Sequence, residues 1–106
     1  MTQRWESIAM SGLLTVGTVT AGRETLIAAF GRGDNVELAG HAQSAVDVAG
    51  VQLIQSARHY ATQRGKQIRL SSPASGPLLE MLQLGGFLDG LSTDDRRFWL
   101  HEGGLQ

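Results

Sequence analysis

Along this chain the spacing of apolar and polar positions shifts repeatedly between the two-residue period of strands and the three-to-four-residue period of helices. Residues 6–9 read as a short strand, turned by Met10-Ser11-Gly12 into a second run over 13–17 that is richer in β-formers. Thr20 then caps a helix running to Phe30, with Leu26, Ile27 and Phe30 on one face and Gly31 as its stop. Gly33-Asp34-Asn35 is a turn signal, Val36-Glu37-Leu38 a short strand, and residues 40–46 a small, polar, irregular stretch.

The clearest local signal is Asp47. It precedes a pattern in which Gly50, Leu53, Ile54, Ala57 and Ala61 recur at spacings of three and four, so they share one helical face. Gln52, Gln55, Arg58, His59 and Gln63 occupy the rest. An aspartate at this place accepts hydrogen bonds from the open amides of the first turn and offsets the positive end of the helix dipole. Gly65 ends the helix, and Ile68-Arg69-Leu70 is a further strand. Ser75 caps a third helix whose first turn tolerates Pro77; Leu78, Met81 and Leu82 are its apolar face and Gly85-Gly86 its end. Phe87-Leu88 reads as chain packing back onto the core. The tail with Arg96, Arg97, Phe98, Trp99 and Leu100 reads as one more strand or a docking arm.

Strands alternating with helices imply right-handed crossovers and a mainly parallel sheet, hence an α/β fold. At 106 residues with 42% hydrophobic content, the chain is expected to be a single domain able to bury a core. The net charge of −1 removes the electrostatic case for nucleic acid or an anionic membrane surface. The absence of cysteine removes disulfides, thiolate metal sites and a cysteine nucleophile, and fits a cytoplasmic protein. Neither a signal-peptide core at the start nor an apolar run long enough to span a bilayer is present in the sequence.

The stretch Val36-Glu37-Leu38-Ala39-Gly40, then Val46-Asp47-Val48-Ala49-Gly50-Val51-Gln52-Leu53-Ile54, resembles the signature of STAS domains, the family of anti-sigma-factor antagonists. There a strand leads into Asp-Ser-Ser-Gly or Asp-x-x-Gly at a helix start. In order, Arg64-Gly65-Lys66-Gln67-Ile68-Arg69-Leu70 is similar to the family's helix end and next strand. Ser72-Pro73-Ala74 and Leu82-Gln83-Leu84-Gly85-Gly86-Phe87 are similar to its last helix and the glycine after it. The resemblance covers residues 12–90. It implies a central mixed or parallel sheet of about four to five strands with helices packed on one side. It also implies a non-enzymatic bacterial regulator of transcription that docks onto a protein. The partner would be an anti-sigma factor of the serine-kinase type or a signalling histidine kinase. Alternatively, it would be the ATPase of a lipid-transport ABC complex, with this chain as its STAS subunit.

One position departs from the pattern. In phosphorylated members the residue after the aspartate is the serine that a kinase modifies; here it is Val48, which has no hydroxyl. The phosphate switch is therefore unavailable at this position. The Asp-x-Ala-Gly form is more similar to the divergent branch, whose members include transporter subunits and small signalling proteins. Constitutive docking is expected.

Each candidate has a plainer reading beside it. Asp47 invites a catalytic role, but helix capping explains it. Asp47, Val48, Ala49 and Gly50, flanked by Ser44 and Gln52, form the expected partner-binding surface, since small residues at a helix start allow close approach. Ala49 and Gly50 equally suit packing under a strand. On the docking reading, Gly50→Arg abolishes partner binding with the fold intact; on the packing reading it unfolds the domain. Ser44 and Ser56 are the hydroxyls nearest the lost phosphosite, weak candidates for modification. Ser71 and Ser72 read as turn residues.

His41, His59 and His101 lack a carboxylate or second histidine at helical spacing, so no metal site and no cofactor is expected. Ser44, His41 and Asp47 lack the nucleophile elbow or oxyanion loop that a triad needs. Arg32-Gly33-Asp34 reads as a turn, and Gly12 and Gly17 lack the lysine of a phosphate-binding loop. A small anionic ligand at the Asp47 helix start is the rival from another class. Phe98 and Trp99 suit an interface or the core, with one of the two expected inside.

Overall fold

The computed structural model describes residues 4–10, 15, 17–40 and 46–102. Three strands and four helices follow one another as β1 (Trp5–Ala9), α1 (Val19–Gly31), β2 (Asn35–Ala39), α2 (Val48–Gln63), β3 (Ile68–Leu70), α3 (Gly76–Leu84) and α4 (Thr93–Leu100). The strands form one parallel sheet in the order β1-β2-β3. The architecture is α/β, with a radius of gyration of 13.0 Å, the value expected of a compact domain of this length.

Register explains which face is covered. Glu6, Val36 and Ile68 lie side by side, as do Ile8, Leu38 and Leu70, so every second residue puts its side chain on the same face. On that face Ile8, Val36, Leu38 and Leu70 are buried together with Leu26, Ala29 and Phe30 of α1 and Val51, Leu53, Ile54, Ala57 and Ala61 of α2. The alternate residues Ser7, Glu37 and Arg69 form a polar row on the other face, where Arg69 pairs with Glu37 at 3.0 Å and stacks on the Trp5 ring.

Several expectations require correction. Three strands stand among the described residues rather than four or five. Of the expected strand over 13–17, only Thr15 and Gly17 are described, and neither is in a strand; the rest lies outside the described residues. The cap of α1 is Thr18 rather than Thr20: the helix begins two residues earlier, and the Thr18 hydroxyl donates to the Thr15 carbonyl at 3.2 Å. Ile27 is 38% exposed, because only Leu26 and Phe30 of the expected face point fully into the core.

The tail is neither a strand nor an extended arm. It is α4, capped by Ser92, whose Oγ accepts from the Asp95 amide at 3.1 Å, with Asp94 and Asp95 in its first turn. Both Phe98 and Trp99 are buried, not one of them, and their rings meet edge to face. Arg-Gly-Asp is a turn as expected: Gly33 takes a φ of 85°, and Asp34 is buried. The Asp34 carboxylate lies between Arg4 Nε at 3.4 Å and Arg32 Nε at 3.5 Å, tying the approach to β1 to the end of α1.

Candidate functional site

The start of α2 lies beyond the carboxyl end of β2, where the chain leaves the parallel sheet and returns across its apolar face. Asp47 is extended at φ −130°, the geometry of an N-cap, and its Oδ1 accepts a hydrogen bond from the Gly50 amide at 3.3 Å. Its backbone carbonyl accepts from the Gly50 and Val51 amides at 3.1 and 3.3 Å. The carboxylate expected as a cap is therefore placed as one.

Around it the expected surface separates by depth. Val48 is 43% exposed and Gln52 is exposed, Asp47 and Ala49 are half-buried, and Gly50 is buried. Gly50 is one of the buried residues of α2, next in sequence to the fully buried Val51. An arginine at Gly50 is thus expected to disturb the core, and Val48 and Gln52 are the positions where docking can be probed without doing so. Ser44 and His41 lie outside the described residues.

Ser56 is exposed on α2 two turns beyond Val48, and His59 is exposed one turn later. His101 lies at the far end of α4 in the left-handed region at φ 56°. Among the described residues no three histidine or acidic side chains gather where they could hold a metal ion, and no helix is long and apolar enough to cross a membrane.

Two grooves flank α2, and neither includes residues 47–50 or Gln52. The first, of about 350 Å³, lies between α1 and α2. From α1 it is lined by Arg23, Leu26, Ile27 and Phe30, and from α2 by Leu53, Ser56, Ala57 and Tyr60. Each set follows the i, i+3, i+4, i+7 spacing of one helical stripe. The second, of about 450 Å³, lies along β3 between α2 and α4, with Lys66, Gln67 and Ile68 on one side and Asp94, Arg97 and His101 on the other.

Beside the second groove is a cluster that the sequence reading missed. One Arg58 nitrogen donates to Asp95 Oδ1 at 2.8 Å and to Gln55 Oε1 at 3.0 Å, while the guanidinium lies 4.3 Å from the centre of the Phe98 ring. Arg58 is a link between α2 and α4. Only the Gln55–Arg58 part had a local signal, the three-residue spacing; the rest depends on where α4 folds back.

Comparison of the chain with protein-family models, with curated proteins and with solved structures finds no match.

Proposed function

We propose that this chain is a non-enzymatic, STAS-like regulatory domain that docks onto a protein partner through the start of α2. The observation that carries the reading is the exposed Val48 beside a capping Asp47: the carboxylate is engaged with its own helix, and the outward positions are an uncharged valine and glutamine. A surface of this kind favours contact with another protein, where apolar area is removed from water and no charge is desolvated.

The family pattern supplies the partner class. In an anti-sigma setting it is a serine-kinase-type anti-sigma factor, and the docked domain releases the sigma factor; a signalling histidine kinase has an equivalent role. Binding takes place in a bacterial cytoplasm and does not depend on phosphorylation at position 48. The finer fold belongs to the same proposal: β1, β2 and β3 with α1 and α2 are the core of a STAS-like sheet. An anionic small ligand is the weaker reading, because the Gly50 amide it would use already donates to Asp47. A lipid-transport ABC complex would use the same α2 surface and is distinguished by the partner recovered.

Affinity purification of the tagged chain from its own organism, in parallel with Val48→Arg, is the test. The expected result is a kinase-fold regulator held by the native chain and lost from Val48→Arg, with the circular dichroism spectrum unchanged. Recovery of an ABC ATPase with its permease moves the chain to transport. Partners retained in full by Val48→Arg overturn the assignment of the surface.

A further inference from the structure

The groove between α1 and α2 has a shape and a charge pattern of its own. Because β1, β2 and β3 are parallel, the two connecting helices both run back against the strands and so share a direction. Phe30, near the end of α1, accordingly meets Tyr60, near the end of α2, with ring centres 5.7 Å apart. The floor is apolar, and Ile27 rises from one wall while Ser56 marks the other. Each lining stripe spans seven residue steps, a length of about 10 Å or two helical turns.

Arg23 is the one charged side chain lining the groove, and it leads the α1 stripe. At the opposite end Arg64 lies over the Tyr60 ring, 4.4 Å from its centre. Neither arginine makes an ion pair among the described residues, whereas Arg4, Arg32, Arg58, Arg69, Arg96 and Arg97 all do. Glu24 is a further 100° round α1 from Arg23, on the flank outside the lining. The groove is thus an apolar slot two turns long, with Arg23 lining one end and Arg64 stacked on Tyr60 beside the other, neither in an ion pair among the described residues.

We propose that this slot takes an amphipathic helix of a partner protein, whose apolar stripe fills the space between α1 and α2 and whose acidic side chains, towards either end of that stripe, meet Arg23 and Arg64. This rests on the reading of the chain as a docking domain and names the element that docks. Apolar filling supplies the affinity. The two rim charges select a helix with acidic flanks and disfavour a basic one.

The probe is a designed amphipathic peptide of about four helical turns, with leucines at i, i+3, i+4 and i+7 and glutamates beyond either end of that stripe, titrated into the ¹⁵N-labelled full chain. A control peptide carries lysines in place of the glutamates. The expected result is saturable shifts at Ile27, Ser56 and Tyr60. Charge reversal by Arg23→Glu with Arg64→Glu should weaken the acidic peptide by about tenfold and strengthen the basic one. Ser56→Trp, at an exposed position on the wall, should block binding while the fold, read by circular dichroism, is kept. Equal binding of both peptides overturns the charge assignment. Shifts confined to Val48 and Gln52, or no binding, overturn the groove and leave the docking surface at the start of α2 standing on its own test. Groove resonances that move with protein concentration and no peptide show a second copy in the slot, which also overturns the proposal.

Discussion

At its first turn α2 has a capping bond from Asp47, an exposed valine and an exposed glutamine. Further along, the same helix grips its neighbours: Arg58 binds Asp95 and stacks on Phe98, Tyr60 packs against Phe30, and Ala57 and Ala61 are buried. One helix thus begins with exposed positions, Val48 and Gln52, that contribute little to cohesion beside the buried Gly50 and Val51, and ends in turns that join α1 and α4 to the sheet. Val48 and Gln52 can change with small cost to stability, which is what a recognition surface requires. Changes in the later turns should be read as losses of fold before they are read as losses of function.

The largest effect is expected where α4 is anchored. Trp99 is fully buried, and its backbone carbonyl accepts from the Ala74 amide at 2.8 Å. Trp99→Ala should cost about 3–5 kcal/mol in urea unfolding, enough to unfold a marginal domain. Trp99→Phe should cost much less, because the indole Nε1 has no hydrogen-bond partner among the described residues and no polar contact is lost. A cost for Trp99→Ala below about 1 kcal/mol would show that α4 is a loose appendage and dissolve the contrast between the two ends.

Arg58→Ala comes next, at about 1–2 kcal/mol, for the loss of a half-buried ion pair and the stacking on Phe98. A double-mutant cycle with Asp95→Ala sharpens this. Coupling above about 0.5 kcal/mol shows that the two helices are joined through this pair, and strict additivity shows that they are not. Asp47→Ala should cost about 0.5–1 kcal/mol, near the low end for a cap because the bond is 3.3 Å long, and Asp47→Asn should be nearly neutral.

The contrast between α2 and α4 also shows what sequence could convey. In α2 the cap, the three-and-four spacing and the terminal Gly65 all agree, and Leu53, Ile54, Ala57 and Ala61 are buried as their spacing requires. In α4 three apolar residues are consecutive, Phe98-Trp99-Leu100, which suits a strand as well as a helix end. The decisive local sign, Ser92 three residues before Asp95, is a capping pattern that the reading of the tail did not use. The depth of Gly50 was not legible, since a glycine on an apolar face suits packing and close approach alike. The α1–α2 slot was not legible either. Its stripes are visible in each helix, but that Arg23 and Arg64 mark its two ends follows only from the shared direction of the helices.

The smallest expected effect on stability is also the most informative about the open end of α2. Val48→Ser removes exposed apolar area at the first helical position, so unfolding free energy should change by less than about 0.5 kcal/mol. It also restores a hydroxyl at the position where the family pattern has its phosphorylated serine. A phosphate there would face the positive end of the helix dipole, so the helix tolerates it, and its dianion would oppose the partner rather than unfold the domain. Incubation of Val48→Ser with ATP and the co-purified kinase-fold partner should therefore give a phosphoryl adduct in the intact mass, absent from the native chain, and lower partner affinity in step with its yield. If such a partner binds and no adduct forms, the α2 start does not enter its active site, and docking must use another face of the helix.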